Sequence, residues 1–211
     1  PQPQIPDFRN LLRGIAGSMS AFRKDGRPRL PPNQVVTGKF PVMTAGTPNT
    51  ANAASWSLTL DGDVEQPVTL DWAAFRDLPH REFTVDIHCV TRWSKLDTKW
   101  RGVSIATLAE LVRPKAEAAY VQARADGGYS ANLRLRDLLG DKGFVATEYD
   151  GKPLSPEHGG PARLVVPDLY FWKSAKWLCG LHFSPFDYKG YWEKLGYHNY
   201  GDPWLEQRFR G

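Results

Sequence analysis

With 211 residues, 41% hydrophobic and 24% charged, the chain has the length and balance of a soluble globular domain with room for a real core. Its formal charge of +4 is not gathered into a basic run, so the expected partner is a local anionic ligand rather than nucleic acid. Its two cysteines, Cys89 and Cys179, cannot by themselves make a disulfide framework or a structural zinc site, and no apolar stretch approaches the length of a membrane span.

Residues 1–36 are rich in proline, glycine and arginine and read as an irregular arm with one short helix at Asp7–Ile15; residues 37–211 read as the domain proper. No signal peptide is visible in a chain that starts at Pro1, so a cytoplasmic location is expected, with a removed leader left open. Phe40–Asn52 has no period and many small residues, the composition of a loop that lets backbone approach a ligand. Ser55–Leu60 alternates and ends at Asp61-Gly62, a strand and a turn. Pro67–Trp72 is a second strand, and Asp71 or Trp72 opens a helix to about Leu78. Phe83–Cys89 is a third strand. Ser104 caps a helix to Arg113, in which Ile105, Leu108, Ala109 and Val112 form one stripe and Pro114 is the stop. Ala119–Ala125 is a strand, Leu133–Leu139 a short helix, and Phe144–Tyr149 the first arm of a hairpin turning at Asp150-Gly151. Arg163–Val166 and Trp177–Phe183 are brief buried strands. The sum is an α+β fold, a β-rich mixed single domain rather than a chain of βαβ units. No G-x-G-x-x-G follows a strand and no Walker motif appears.

Two stretches carry chemistry. From Val85 the residues Val85, Ile87 and Cys89 alternate to one face and Asp86 and His88 to the other, with Arg92 and Lys95 following the thiol. Nearby cations lower a thiol pKa, and the thiolate is the species that attacks or ligates. The same residue also reads as a packed core thiol, as Cys179 does. The second stretch is His158-Gly159-Gly160-Pro161-Ala162-Arg163, followed by Lys173, Ser174, Ala175 and Lys176. Glycines with cations are the composition of a pocket for an anion such as phosphate. Lys173 taken singly is expected to face solvent.

Together HCVTRWS, HGGPARLVVP, YFWKSAKWL and the C-terminal GYWEKLGYHNYGDPW resemble the molybdopterin-dependent oxidoreductases of the sulfite oxidase fold, the small bacterial sulfite oxidase-like oxidoreductases above all. The resemblance runs from about Phe40 to the C-terminus. It implies a molybdopterin-binding domain of the sulfite oxidase type, a molybdenum–molybdopterin cofactor, and oxygen-atom transfer on a small substrate: a sulfoxide, an N-oxide or a sulfur oxyanion. It implies that the Cys89 thiolate ligates molybdenum, for which a soft ligand is suited. It assigns Thr44 and Gly46 to a cofactor-contacting loop, Asp126, His158 and Arg163 to the pterin, and Ser174, Ala175 and Lys176 to its phosphate end. Tyr197 matches the family's active-site tyrosine, and Arg92 and Lys95, with His198 behind them, are the candidates for placing substrate. One departure stands out: Val42–Gly46 holds no arginine where sulfite oxidases have one beside the substrate, which weakens the case for sulfite itself. No haem or iron–sulfur motif appears, so the expected electron partner is an external donor or acceptor protein. Two alternatives stay open: a hydrolase or transferase with Cys89 as nucleophile and a histidine as base, and a non-catalytic pterin-binding module.

Overall fold

The computed structural model describes residues 20–45 and 52–209. The helix expected at Asp7–Ile15, and Gly46 of the small-residue loop, lie outside the described residues. The described chain runs β1 (Val35–Val36), β2 (Ser57–Gly62), β3 (Val68–Asp71), α1 (Trp72–Arg76), β4 (Arg81–His88), β5 (Trp93–Ser104), α2 (Ile105–Val112), β6 (Tyr120–Ala125), β7 (Ser130–Arg134), β8 (Phe144–Tyr149), β9 (Lys152–Pro153), β10 (Arg163–Val165), β11 (Leu178–Ser184) and α3 (Tyr191–Lys194).

Two mixed sheets result. In the first the order is β1-β5-β8-β10, with β4 along the opposite edge of β5 and β9 closing a hairpin with β8. The second is ordered β3-β2-β11-β6-β7, with β2 and β11 parallel and the other pairs antiparallel. The helices form where their caps allow. Asp71 accepts the Ala74 N–H at 2.8 Å to start α1, and Ser104 accepts the Thr107 N–H at 3.1 Å to start α2. Ile105, Leu108, Ala109 and Val112 all point inward from α2, which ends at a left-handed Arg113 (φ 51°) before Pro114. The main core joins these helices to both sheets through Leu58, Leu60, Val103, Leu164, Leu181 and Phe183. A smaller core around Phe83, Ile87, Trp100 and Phe144 lies on the first sheet.

Two strands differ from the sequence expectation. β5 is the longest element, yet its buried positions include Ser94, Thr98 and Gly102 rather than an apolar series, so no alternation marks it. Gly102 is required there: a Cβ would stand 2.1 Å from the Val145 carbonyl oxygen of β8. The segment expected as a helix at Leu133–Leu139 finishes β7 first and then makes one 3-10 turn at Leu135–Asp137.

The arm is also more than irregular wrapping. Val35 and Val36 pair in parallel with Trp93 and Ser94. Arg29 donates to Asp86 (2.8 and 2.5 Å) and to Asp97 (2.7 Å), at a bulge in β4 that turns the Asp86 carboxylate toward the arm. Arg23 and Arg27 sit 4.6 and 4.1 Å over the Trp204 ring, whose Nε1 donates to Pro28 O at 2.7 Å. Arm and C-terminal tail therefore close together over the face of β4 that carries Asp86 and His88, which is why both polar residues are buried.

Candidate active site

β4 ends at His88, and the next residue, Cys89, opens a tight loop into β5. The Cys89 N–H donates to Trp93 O (2.8 Å) and the Arg92 N–H donates back to Cys89 O (3.0 Å), with Arg92 in the left-handed region at φ 72°. This turn points the sulfur into a cavity of about 240 Å³. Thr44, Arg163, Ser174, Lys176 and Tyr197 share its lining with Cys89, and Phe40, Trp93, Tyr129, Phe171, Trp172, Trp177 and Trp192 supply most of the wall. Six of the thirteen residues assigned from the sequence thus converge from five separate parts of the chain.

The polar end is built on Arg163. It is 1% exposed and forms no ion pair among the described residues. Its guanidinium donates to His158 O and Ser174 O (each 2.8 Å) and stacks 4.4 Å from the Phe171 ring centroid. Burial pushes its pKa down to about 9, with only the field of Tyr129 opposing. Lys176, beside it, donates to Thr44 Oγ1 at 3.2 Å and to Glu157 O. Burial, followed by the charge on Arg163, pushes the Lys176 pKa down to about 8. Two desolvated cations with no carboxylate bonded to them among the described residues leave the site short of negative charge, which an anionic ligand would supply.

The Lys176 proton gives a signed expectation. The unfolded chain keeps it to the usual 10.5, whereas the folded chain releases it near 8. Charged Lys176 therefore costs the ligand-free fold most below pH 8, and that cost fades as pH rises toward 10.5. A bound anion favours the charged form. Affinity for a phosphate monoester, whose own second pKa of about 6 is already passed, is expected to fall as pH rises through 8. Titration calorimetry on cofactor-free protein should show this fall, and Lys176→Met should flatten it.

The glycines act differently from the sequence reading. A Cβ on Gly159 would meet Lys176 Cβ at 2.9 Å, and one on Gly160 would meet Leu154 O at 2.2 Å. Their N–H groups donate to Pro156 O and Ser155 O. They pack the 155–162 loop against Lys176 rather than opening a backbone nest. His158 stands behind the wall, stacked on Phe40 at 4.0 Å. Ala175 is buried behind Ser174 and accepts the Leu164 N–H. Asp126 is exposed at the β6–β7 turn and accepts from Gly127 N, outside the cavity lining.

At the sulfur end the cations are not the expected ones. Arg92 is exposed, and Lys95 donates outward to Gly38 O at 2.6 Å. Arg208, absent from the sequence reading, donates to Val90 O and is the cation whose charge acts on Cys89. Thr91 Oγ1 donates to the sulfur at 3.1 Å. Burial nevertheless outweighs these donors, and the Cys89 thiol is pushed up, not down. Gln34 Nε2 donates to Cys89 O at 3.1 Å and its Oε1 accepts from Ser94 Oγ at 3.3 Å. Arm and tail therefore grip two consecutive carbonyls of this loop. No local pattern marks Gln34 or Arg208; each lies more than fifty residues from Cys89. His198 is structural: its Nδ1 accepts from Tyr200 N and Gly201 N, and burial, followed by the charge on Lys173, pushes its pKa down.

Lys173, expected in solvent, is fully buried. It pairs with Glu193 at 2.7 Å and donates to Asn132 Oδ1 and Asn199 O, each at 2.7 Å. Glu193 also accepts from Trp172 Nε1 at 2.8 Å. This network sets the wall on which Tyr197 packs, edge-on to Trp172 at 5.1 Å and tilted against Trp192 at 4.7 Å.

A buried thiol and a desolvated cation pair line one aromatic cavity, an arrangement suited to an anionic ligand. The sequence comparisons give the family. Residues 44–192 match the family described as the oxidoreductase molybdopterin binding domain, and the chain belongs to it as a molybdenum-dependent oxidoreductase. It is 45% identical to an uncharacterized oxidoreductase, YuiH, of Bacillus subtilis over 188 residues, covering 89% of this chain and 95% of the relative. It is 28% identical to the protein-methionine-sulfoxide reductase catalytic subunit MsrP of Campylobacter jejuni, covering 71% of this chain and 56% of that protein. The fold is similar to the sulfane dehydrogenase SoxCD of Paracoccus pantotrophus, with a TM-score of 0.61, 19% identity, and coverage of 66% of this chain and 41% of that one.

Proposed function

We propose that this chain transfers an oxygen atom to or from a small neutral substrate, a sulfoxide or N-oxide, at a molybdenum held by Cys89. The observation that carries the reading is that the Cys89 sulfur and the Arg163–Lys176 pair line the same cavity. The residues fit a molybdopterin. Trp93 Nε1, buried in the lining without a hydrogen-bond partner, is a free donor toward it, and Ser174, Lys176, Thr44 and Arg163 would hold its phosphate end. When bound, this group supplies the two-electron redox chemistry of oxygen transfer.

The protein's own part is to bind, orient and exclude water. Cys89 is held by Gln34 and Arg208 through adjacent carbonyls and by Thr91 at the sulfur. Trp93, Trp172 and Trp192 give the cavity that holds the sulfur apolar walls, which would displace water when the cofactor is bound. Tyr197 lines that cavity and would donate a hydrogen bond to substrate oxygen. Arg163 and Lys176, both taken up by the cofactor in this reading, are the cavity lining's only cations among the described residues, which favours a neutral substrate over a sulfur oxyanion. A cysteine nucleophile is disfavoured by the upward shift of the thiol and because no histidine among the described lining residues could serve as its base.

The test is metal and pterin analysis of protein made in a cofactor-competent host, with sulfoxides, N-oxides and sulfite screened against artificial electron donors and acceptors. Bound molybdenum with reduction of neutral oxides is expected; metal-free protein from that host would overturn the reading. Arg208→Met is expected to lower molybdenum retention by roughly 10–100-fold, the usual cost of losing a partner behind a metal ligand, measured as metal content after dialysis.

A further inference from the structure

We infer that the edge of the first sheet beside the cavity mouth is the docking site for an acidic electron-carrier protein. Oxygen transfer moves electron pairs: reducing one sulfoxide to a sulfide and water consumes two electrons and two protons. This inference rests on the proposed redox function only for that demand. Single-electron carriers would deliver the electrons in two steps, each carrier being oxidised once.

The surface has the anatomy of an interface, an apolar centre with a charged rim. Its centre is apolar and exposed: Val35 is 69% exposed on the free side of β1, and Val42 and Met43 are about half exposed where the 41–45 segment borders the cavity. Its rim is cationic. β1 runs beside Trp93–Ser94, the Val35 N–H donates to Arg92 O, and Lys95 Nζ reaches Gly38 O, so Arg92, Lys95 and Lys39 stand together. Among the described residues none of the three forms an ion pair. Clustered surface cations left without carboxylates repel one another, and an acidic partner relieves that repulsion. The position suits electron delivery. Thr91 and Arg92 are exposed, and Thr91 Oγ1 is 3.1 Å from the Cys89 sulfur, so the loop bearing the thiol is also the loop that meets the carrier. A second basic face, Arg124, Lys189 and Lys194 around His182, is the weaker candidate, because Arg124 and His182 are already paired with Asp61.

The experiment titrates holoenzyme with an acidic flavodoxin and, separately, with a basic cytochrome c, by calorimetry. Flavodoxin should bind, and Lys39→Glu/Arg92→Glu/Lys95→Glu should weaken it by ~10-fold or more, whereas Lys189→Glu/Lys194→Glu should not. Raising ionic strength from about 0.01 to 0.15 M, which shortens the Debye length from ~30 to ~8 Å, should weaken it too. The melting temperature of the triple variant should match that of the parent, which shows that the fold is intact. No flavodoxin binding, preference for cytochrome c, or equal binding by the triple variant overturns the inference. Binding is read without turnover. A protein that binds flavodoxin yet reduces no oxide therefore removes the functional proposal and leaves the surface, and the reverse result removes the surface alone.

Discussion

Cys89→Ser is expected to abolish oxygen-transfer turnover and to strip molybdenum from the purified protein while leaving the fold intact. The substitution exchanges a soft sulfur donor for a hard hydroxyl at the same place. The loss should exceed the ~10–100-fold that follows when only a residue behind the ligand is changed. The site itself tolerates the swap, since Thr91 can donate to serine as it does to the sulfur and the surrounding hydrogen bonds use backbone atoms. Cys179→Ser is the control. That thiol lies on β11, half-buried, against Arg124 O and outside the cavity lining, so metal content and turnover should stay at the parental level. Elemental analysis with an artificial-donor assay reads both. Unchanged molybdenum in Cys89→Ser would mean that the sulfur is not a ligand.

Lys173→Met is expected to be the most destabilising single change outside the core. It leaves the 1% exposed Glu193 without its cation in a closed site. Removing one member of a buried pair costs ~3–5 kcal/mol, which for a chain of this length is a fall of roughly 6–20 °C in melting temperature. Lys173→Met/Glu193→Gln should recover much of that loss, because a glutamine oxygen can still accept from Trp172 Nε1 and no charge is stranded. Thermal unfolding of the three proteins tests this. Equal melting temperatures for parent and single variant would show that the pair contributes nothing to the fold. Because Glu193 orients Trp172, and Tyr197 packs on Trp172, the single variant should also disturb the cavity wall.

Much of the fold was legible where local rules suffice. The α2 stripe, its Ser104 cap and its stop were readable because amphipathic period and capping are short-range signals. The hairpin at Asp150-Gly151 was readable for the same reason. β5 was not, because Ser94, Thr98, Gly102 and Ser104 interrupt Trp100 and Val103 among its buried positions, so no apolar period results, and the burial comes from β4, β8 and β1. The assignment of Lys173 to solvent failed similarly: its partner Glu193 is twenty residues away, and nothing local announces the pairing.

The sequence by itself determined the kind of protein: a β-rich α+β domain, a thiol at a strand end, and a cationic stretch suited to an anion. Those are properties of residue type and near-neighbour spacing. Only the tertiary structure decided what surrounds the thiol. It replaced Arg92 and Lys95 with Arg208 as the nearby cation, gave the arm residue Gln34 a grip on Cys89 O, and turned Gly159 and Gly160 from ligand contacts into packing spacers. The reason is physical. Charge, desolvation and close packing act through space, at distances that chain order does not encode.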